Sequence, residues 1–267
     1  MNISLTGKVA LVTGGSKGIG AAAAMSLSEA RARVAICSRN EEELRQMAIA
    51  IESKTSHRVL AVRADVRVQA DVDRLVDEVQ SALGGIDILV NNAGGVGEVG
   101  PFEDIPTDIY SEVYDLNVVS MVRLVKAVLP VMKAKKWGRI INISSENGLQ
   151  PDPDMTPYNL TKAAIINLSK SLSKTLGQHN ILVNTVSPAF IYTPLVESMI
   201  KDIAAQQGST EQEALQRFLA EKRPNIELRR VGKIEEVGAA VVFLASEQAS
   251  FITGTNLRVD GGSVASI

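Results

Sequence analysis

Short runs of apolar, mostly β-branched residues recur along the chain and alternate with longer segments of helical composition. Because most runs are continuous rather than alternating, they indicate strands that are covered on both faces, as in a parallel sheet. The predicted strands are Val9–Thr13, Val34–Cys37, Val59–Val62, Ile86–Val90, Arg139–Ser144, Ile181–Val186 and Asn256–Val259. The predicted helices are Gly18–Arg31, Glu41–Ser53, Ala70–Leu83, Thr107–Met132, Tyr158–Gly177 and Ile234–Ala245. This alternation predicts a single α/β domain over residues 1–267, with a doubly wound, seven-stranded parallel sheet and helices on both faces.

The alternation stops between Thr193 and Lys233, where no strand pattern occurs. The segments Leu195–Gln207 and Thr210–Lys222 both have helical composition and are separated by a Gly-Ser pair. A long excursion just after a strand end is a common position for a lid, so we interpret residues 190–230 as a helical substrate lid. The alternative is an insertion that serves packing or contacts between subunits.

Composition narrows the possible functions further. The formal net charge is −2, from 28 basic and 30 acidic residues, which gives no charge field for binding nucleic acid or a membrane surface. No run of about 18 apolar residues and no signal-peptide pattern occurs. The one cysteine, Cys37, lies in an apolar run, so we expect a buried thiol and a cytoplasmic protein. The two histidines lack metal-ligand spacing, and we predict no metal site.

The first predicted strand runs into a glycine-rich turn, residues 13–20, which an alanine-rich helix follows. This order of strand, turn and helix places a phosphate against a helix N-terminus. Gly14 permits the tight turn, Gly18 lets the backbone approach a pyrophosphate, and Gly20 lets the helix pack closely on the sheet. The spacing is Gly-x-x-x-Gly-x-Gly rather than the commoner Gly-x-Gly-x-x-Gly. The candidate cofactor-binding residues of this turn are Gly14, Ser16, Lys17, Gly18, Ile19 and Gly20.

The end of the second strand bears on which nicotinamide cofactor binds. A carboxylate there would bond the ribose 2′-hydroxyl and repel a 2′-phosphate, but the chain has Ser38 and Arg39 instead. Arg39 could hold a phosphate as a planar fork, and Lys17 could reach the same group. These residues favour NADP(H) over NAD(H), the alternative being that Arg39 is a solvated charge that stacks on adenine. We interpret the run Glu41–Glu43 as complementing a helix N-terminus after an Asn40 cap.

Three side chains suggest acid-base chemistry. A phenol titrates near 10, and a neighbouring ammonium favours the phenolate. Tyr158 and Lys162 are one helical turn apart and therefore share a helix face. Ser145, thirteen residues before the tyrosine, could bind a carbonyl oxygen together with it. Tyr-x-x-x-Lys alone is a weak motif, so its weight depends on the nucleotide-binding features of the chain.

Taken in order along the whole chain, the motifs resemble those of the short-chain dehydrogenase/reductase family, and particularly its 3-oxoacyl-(acyl-carrier-protein) reductase branch. They are Thr13–Gly20, Asp65-Val66, Asn91-Asn92-Ala93-Gly94, Asn117, Ser145, Tyr158-x-x-x-Lys162, Ser187-Pro188 and Thr193. The resemblance implies an NAD(P)-binding Rossmann fold in which Asp65 bonds the adenine amino group beside the Val66 backbone. It also implies that Asn91, Ala93 and Gly94 lie under the adenosine ribose and support the central sheet.

The resemblance further implies the roles of the residues near the nicotinamide. Asn117 would hold a water that links Lys162 to solvent, and Lys162 would also bond the nicotinamide ribose. Pro188, Ile191 and Thr193 would position the nicotinamide. The implied catalytic residues are Asn117, Ser145, Tyr158 and Lys162, with Tyr158 as the proton donor.

From these observations we predict an NADPH-dependent oxidoreductase that reduces a ketone, or a 3-oxoacyl thioester, to a secondary alcohol. An alternative is an NAD(P)-dependent alcohol, polyol or sugar dehydrogenase, and an alternative of another class is a non-catalytic nucleotide sensor or scaffold. The segment Leu149–Pro157 would form one side of the substrate entrance, where its aspartates disfavour an anionic substrate. A basic cluster (Lys133, Lys135, Lys136 and Arg139) is predicted to be a solvated helix end rather than a carrier-protein dock. The resemblance implies a homotetramer or dimer, built on the segments Thr107–Met132, Tyr158–Gly177 and Thr253–Val259.

Overall fold

A computed structural model describes residues 3–266 and contains a seven-stranded sheet with the strand order β3-β2-β1-β4-β5-β6-β7. Every neighbouring pair of strands is parallel. The strands are β1 (Val9–Thr13), β2 (Arg33–Ser38), β3 (Val59–Arg63), β4 (Ile88–Asn91), β5 (Gly138–Ile143), β6 (Ile181–Pro188) and β7 (Asn256–Val259). The predicted doubly wound α/β fold, a Rossmann-like arrangement, is therefore confirmed.

Helices cover both faces of the sheet. They are α1 (Gly18–Glu29), α2 (Glu41–Thr55), α3 (Gln69–Leu83), α4 (Thr107–Tyr114), α5 (Ser120–Lys135), α6 (Thr156–Leu176), α7 (Pro194–Gln207), α8 (Glu211–Lys222) and α9 (Ile234–Ala245). Apolar residues of α1, α2 and α9 form a core on one face of the sheet. Residues of α3, α5 and α6 form the core on the other face. Burial on both sides explains why the strands consist of continuous apolar runs.

Two of the sequence-based boundaries differ from the structure in an informative way. The fourth strand was predicted to begin at Ile86, but pairing with β1 begins at Ile88. The predicted helix Thr107–Met132 is divided by a π-helical turn, Asp115–Val119, between α4 and α5. An apolar periodicity near 3.6 does not reveal one wider turn, which explains why the sequence predicted a continuous helix.

The predicted lid consists of α7 and α8, which pack on each other through a small apolar cluster of their own. Thr193 caps α7, and Thr210 caps α8 with a reciprocal Thr-Glu capping box. The strand order reverses between β1 and β4, so a crevice opens beyond the carboxyl ends of these two strands. The glycine turn and the end of β4 both lie at this crevice.

Candidate active site

The glycine turn after β1 has the geometry that its sequence predicts. Gly14 and Gly18 have φ angles of +62° and +58°, in the left-handed region that glycine tolerates. A Cβ at Gly20 would lie 2.2 Å from the carbonyl oxygen of Gly14, so only glycine allows α1 to begin this close to the turn. At Gly18 the nearest atoms that a Cβ would meet belong to Thr193, at 3.6 Å, which brings the turn next to the start of the lid.

Side-chain hydrogen bonds from β4 hold the glycine turn in place. The Asn92 amide Nδ2 donates to the carbonyl oxygens of Thr13 and Gly14 at 2.9 and 3.2 Å. The buried Thr13 hydroxyl accepts from the backbone N–H groups of Asn92 and Ala93, both at 3.0 Å. The sequence analysis did not assign a role to Thr13 or Asn92 individually. Their positions inside the glycine turn and the Asn91–Gly94 motif were the sequence features that could have indicated these roles.

A cleft of about 530 Å³ extends from the glycine turn across the ends of β2, β3 and β4. The cofactor-binding residues predicted from sequence that line it are Gly14, Ser16, Lys17, Ile19, Ser38, Arg39, Asp65, Val66, Ala93, Gly94 and Thr193. Asn40, Glu43, Asn92 and Leu116 also line the cleft. Its lining includes residues of the glycine turn and of the ends of three strands, which suits an extended ligand, and Lys17 and Arg39 could donate hydrogen bonds to a phosphate.

Several predicted cofactor residues lie away from the lining of this cleft. Asn91 is buried in β4, and its Nδ2 donates to Asn142 Oδ1 of β5 at 2.8 Å. Pro188 is the buried last residue of β6, and Ile191 forms an isolated bridge with Gly232. Asn91 therefore supports the sheet, whereas its neighbour Asn92 faces the glycine turn.

The basic end of the cleft contains an acid that the sequence analysis assigned to helix stabilisation alone. Asn40 does cap α2, since its Oδ1 accepts from the Glu43 N–H at 3.1 Å. The Glu43 side chain, however, turns towards the glycine turn and accepts from Ser16 Oγ at 3.2 Å and Lys17 Nζ at 3.3 Å. Of the two bases that were predicted to share a phosphate, Lys17 thus pairs with a carboxylate, and Arg39 lines the same cleft.

Asp65 lines the same cleft and lies on the adenine part of the predicted cofactor path, close enough to Arg39 for its charge to act on the carboxylate. Arg67 donates to both carboxylate oxygens of Asp65, including an Nη2–Oδ2 bond of 2.7 Å. The hydrogen bonds from Arg67 lower the pKa of Asp65 to about 2, and the charge of Arg39 also contributes. Asp65 is therefore a fixed acceptor at neutral pH.

Ser145, Tyr158 and Lys162 converge where β5 ends and α6 begins. Lys162 is buried, and its Nζ donates to the Ile143 carbonyl oxygen at 3.0 Å and lies 5.2 Å from the centroid of the Tyr158 ring. Ser145 Oγ accepts from the Asn147 N–H at 3.2 Å, which orients the hydroxyl. Its neighbour Ser144 donates instead to the Lys162 carbonyl oxygen at 2.7 Å. The adjacent serines therefore have separate roles.

Burial governs the protonation of this group. It raises the pKa of Tyr158, an effect that the nearby Ser145 side chain opposes and the Glu146 carboxylate reinforces. Burial also lowers the pKa of Lys162 to about 8. The sequence predicted that Lys162 would lower the pKa of Tyr158, whereas here the Lys162 ammonium is directed at the Ile143 carbonyl. Tyr158 is thus a neutral phenol at physiological pH, the form that can donate a proton.

Asn117 sits in the π-helical turn between α4 and α5 and is buried. Its Oδ1 accepts from the Gly95 N–H at 2.8 Å, and its Nδ2 donates to the Gly95 carbonyl oxygen and to Thr161 Oγ1, both at 2.9 Å. The Thr161 hydroxyl in turn donates to the Tyr158 carbonyl oxygen. The wider turn therefore links the end of β4 to the helix that carries Tyr158 and Lys162.

The predicted lid contacts the segment between Ser145 and Tyr158. Arg223, which follows α8, donates to Asp152 Oδ2 at 3.0 Å and lies 5.8 Å from the ring of Phe190. Phe190 and Phe218 stack with their centroids 5.0 Å apart. Asp152 was predicted to disfavour an anionic substrate, but Arg223 balances its charge. Residue Glu146, which the sequence analysis missed, is buried next to Ser145, and burial raises its pKa.

The basic cluster at the end of α5 lies at the end of the sheet where β5 begins. Lys135 Nζ pairs with Asp87 at 2.7 Å, and Arg139 is buried against the Trp137 ring, 4.2 Å from its centroid. Because β5 begins at Gly138 and Ser145 follows its far end, the cluster and the candidate active site are separated by the length of the strand. This geometry agrees with the prediction that the cluster is not a dock at the substrate entrance. The prediction of a solvated helix end is wrong for Arg139, which belongs to β5 and is buried.

Residues 3–266 provide neither a metal site nor a membrane-spanning helix. No group of three or more His, Cys, Asp and Glu side chains could hold a metal ion. No helix in that range combines the length and the apolar character that crossing a bilayer requires. Cys37 is buried, and burial raises the pKa of its thiol to about 12, so it is unreactive at neutral pH.

A family model described as enoyl-(acyl carrier protein) reductase matches residues 14–264. The chain belongs to the short-chain dehydrogenase/reductase family. As a member of this family it is an NAD(P)-dependent oxidoreductase that acts on CH-OH groups. The match includes the glycine turn, the Ser-Tyr-Lys group and the lid, so it spans every part of the candidate site.

The relatives of this family member are similar over their full lengths. The oxidoreductase YvaG of Bacillus subtilis is 39% identical over 267 residues, covering 100% of both chains. A D-beta-hydroxybutyrate dehydrogenase of Rhizobium meliloti is 33% identical and covers 96% of this chain and 98% of its own. The crystal structure of L-sorbose reductase from Gluconobacter frateurii, complexed with NADPH and L-sorbose, superposes with a TM-score of 0.94 at 34% identity, covering 100% of both chains.

Proposed function

We propose that this short-chain dehydrogenase/reductase is an NADPH-dependent reductase that converts a ketone into a secondary alcohol, with Tyr158 as the proton donor. The main observation that supports this proposal is that Ser145, Tyr158 and Lys162 lie together beyond the end of β5. There burial raises the pKa of the Tyr158 phenol, and the nearby Ser145 side chain opposes that rise. A neutral phenol beside a second hydroxyl suits donation to a developing alkoxide.

The proposed roles follow from the local contacts. The Ser145 and Tyr158 hydroxyls would hold the carbonyl oxygen, and Tyr158 would supply the proton. Lys162 would bond the nicotinamide ribose, and Asn117 would position a water on the path that returns the proton. NADPH, when bound, supplies the hydride. Ser144, through its bond to the Lys162 carbonyl oxygen, keeps α6 at the end of β5.

The residues of the cleft fit a dinucleotide phosphate. The left-handed turn at Gly14 and Gly18 leaves no side chain between the backbone and a pyrophosphate, and α1 begins directly behind it. Arg39 and Lys17 line the end near β2, and together they support NADP(H) over NAD(H). The NADPH-bound sorbose reductase, whose fold superposes over the whole chain, adds support.

The substrate class is proposed from the lid and the entrance segment. Phe190 and Phe218 make the lid wall apolar, while the Asp152–Arg223 pair presents a balanced polar edge. A small ketone with polar substituents fits this combination, as the sorbose reductase also suggests. A 3-oxoacyl thioester is the second candidate substrate. The alternative direction, oxidation of an alcohol or polyol, is supported by the similarity to the hydroxybutyrate dehydrogenase.

A matched panel tests the proposal. Small hydroxy ketones, unsubstituted ketones and 3-oxoacyl thioesters are assayed with NADPH and NADH, and the corresponding alcohols with NADP⁺ and NAD⁺. We expect the highest kcat/KM for a small polar ketone with NADPH. A clear preference for NADH would contradict the roles of Lys17 and Arg39. Inactivity in both directions, with nucleotide still bound, would favour the non-catalytic sensor or scaffold.

Assembly and location are also proposals. We propose one nucleotide-binding domain over residues 1–267, because a single sheet extends from β1 to β7. We propose a homotetramer or dimer that uses α4, α5, α6 and the edge strand β7. The buried, unreactive thiol of Cys37 supports a cytoplasmic location.

A further inference from the structure

Glu43 occupies the basic end of the cleft although it belongs to the first turn of α2. Its Oε1 accepts from Lys17 Nζ at 3.3 Å, and its Oε2 accepts from Ser16 Oγ at 3.2 Å. Both donors belong to the glycine turn, twenty-six and twenty-seven positions earlier. The carboxylate therefore joins the start of α2 to the turn and uses donors that an anionic ligand would also need.

We propose that Glu43 is a specificity-determining residue, which competes with the 2′-phosphate of NADP(H) for Lys17 and Ser16 and makes the preference for NADP(H) moderate. The proposal rests on the proposed function only in placing the 2′-phosphate at this end of the cleft. A phosphate and a carboxylate attract the same donors, an ammonium and a hydroxyl. The two anions repel each other when both are present.

The exposure of the pair sets the size of the effect. The side chains of Lys17 and Glu43 are 65% and 39% exposed, so solvent screens their interaction and Lys17 can turn towards another anion. Arg39 lines the same end of the cleft and is available to a 2′-phosphate. Glu43 should therefore weaken the binding of a 2′-phosphate without preventing it.

The same carboxylate acts differently on NAD(H). NAD(H) carries a hydroxyl where NADP(H) carries the phosphate, and a carboxylate accepts a hydrogen bond from a hydroxyl. Glu43 consequently disfavours only one of the two cofactors. The asymmetry separates this role from a general repulsion of nucleotides by negative charge.

The test measures nucleotide binding rather than turnover. Wild type and Glu43→Gln are titrated by calorimetry with adenosine 2′,5′-bisphosphate and with adenosine 5′-monophosphate, which differ only in the 2′-phosphate. Glutamine keeps an acceptor for Ser16 but loses the charge. Glu42→Gln is the matched control, because Glu42 is on the same helical turn and pairs with Arg45 at 2.7 Å. Melting temperatures verify that each variant is folded.

We expect Glu43→Gln to bind the 2′,5′-bisphosphate about three- to tenfold more tightly, with the monophosphate changed by less than about twofold. Glu42→Gln should change neither by more than about twofold, and 0.5 M salt should reduce the gain. An unchanged affinity for the bisphosphate would overturn the proposal. An equal gain for both nucleotides would also overturn it, because the carboxylate would then act on the shared 5′-phosphate.

The pairing itself is tested in a Lys17→Met background. If Glu43 acts by competing for Lys17, the gain from Glu43→Gln falls below about twofold there, and a full gain would contradict the competition. If the proposed preference for NADP(H) is wrong, the result will be different: wild type will bind the monophosphate more tightly than the bisphosphate. A Glu43→Gln gain specific for the bisphosphate would stand even then. If wild type bound neither nucleotide, both proposals would be overturned.

Discussion

A phenylalanine at position 158 would keep the aromatic ring and remove only the hydroxyl from which the proton is proposed to come. We expect Tyr158→Phe to lower kcat of ketone reduction by roughly 10²- to 10⁴-fold, which is the usual contribution of general acid catalysis. NADPH affinity, measured by fluorescence titration, should change by less than about twofold. Tyr114→Phe, at a side chain that is 40% exposed, is the control and should be fully active. More than about 10% residual activity in Tyr158→Phe would contradict the role.

Lys162 has a folded-state pKa of about 8, below its ordinary value of 10.5, because the ammonium is buried. Below pH 8, burying the charged ammonium lowers the free energy of unfolding by its full amount. Between about pH 8 and 10.5 the folded protein has lost this proton while the unfolded chain still binds it, so the destabilisation disappears as pH rises through this range. We therefore expect Lys162→Met to be inactive yet more stable at pH 7, by on the order of 1–2 kcal/mol, after the lost bond to Ile143 is counted.

Urea unfolding at pH 7 and pH 10 measures this difference. The stabilisation by Lys162→Met should shrink at pH 10, because wild-type Lys162 is then largely neutral in the folded protein. Lys174→Met, on the exposed side of the same helix, is the control and should change stability by less than about 0.5 kcal/mol at both pH values. A variant that is less stable than wild type at pH 7 would show that the buried ammonium stabilises the fold.

At the scale of single residues, the sequence predicted which catalytic side chains lie together, but it did not predict their other contacts or the direction of their pKa shifts. Ser145, Tyr158 and Lys162 converge as their spacing indicated. The partners of Glu43 and Arg223 were not predictable, because each contact joins segments that only the folded chain brings together. The direction of the Tyr158 pKa shift was missed for a related reason, since desolvation depends on all surrounding atoms.

At the scale of elements, the site depends on how closely α6 approaches the segment that follows β5. A Cβ at Gly148 would lie 2.8 Å from the carbonyl carbon and oxygen of Lys162, so no side chain fits there. We expect Gly148→Ala to push α6 away, to lower kcat at least tenfold, and to cost on the order of 1–3 kcal/mol of stability. Steady-state kinetics and thermal unfolding measure the two effects.

A matched glycine exists at the other end of the same helix. Gly177 has a helical φ of −56°, and a Cβ there would meet no atom within 4 Å. Gly177→Ala should therefore keep both activity and stability. If Gly148→Ala were equally harmless, close packing of α6 on this segment would not be what positions Tyr158 and Lys162.

The elements themselves were largely predictable, because both sheet faces are buried and each strand is consequently a continuous apolar run. β1, β7 and α9 have the predicted boundaries. The π-helical turn at Asp115–Val119 was not predictable, since one additional residue in a turn hardly changes the apolar pattern. That turn contains Asn117, so the missed feature lies at the candidate site itself.

At the scale of the whole molecule, two exposed apolar side chains lie on or shortly before elements proposed to join subunits. Phe251, which precedes the edge strand β7, is fully exposed, and Leu160 on α6 is 52% exposed. The outer edge of β7 has no neighbouring strand within residues 3–266, and an exposed sheet edge with apolar side chains favours association. We therefore expect a dimer or tetramer in which Phe251 is buried between copies.

Phe251→Ser tests this assembly by light scattering coupled to size exclusion over a range of concentrations. Removing a buried aromatic side chain from an interface commonly costs more than about 1 kcal/mol, so the dissociation constant should rise about fivefold or more and smaller species should appear on dilution. Ile49→Ser is the control, because Ile49 is also exposed (52%) but lies on α2, which is not assigned to the interface. A monomeric wild type, or equal behaviour of the two variants, would contradict an interface at β7. A dimer that persists in Phe251→Ser would place the remaining contact on α4, α5 and α6, where Leu160 is exposed.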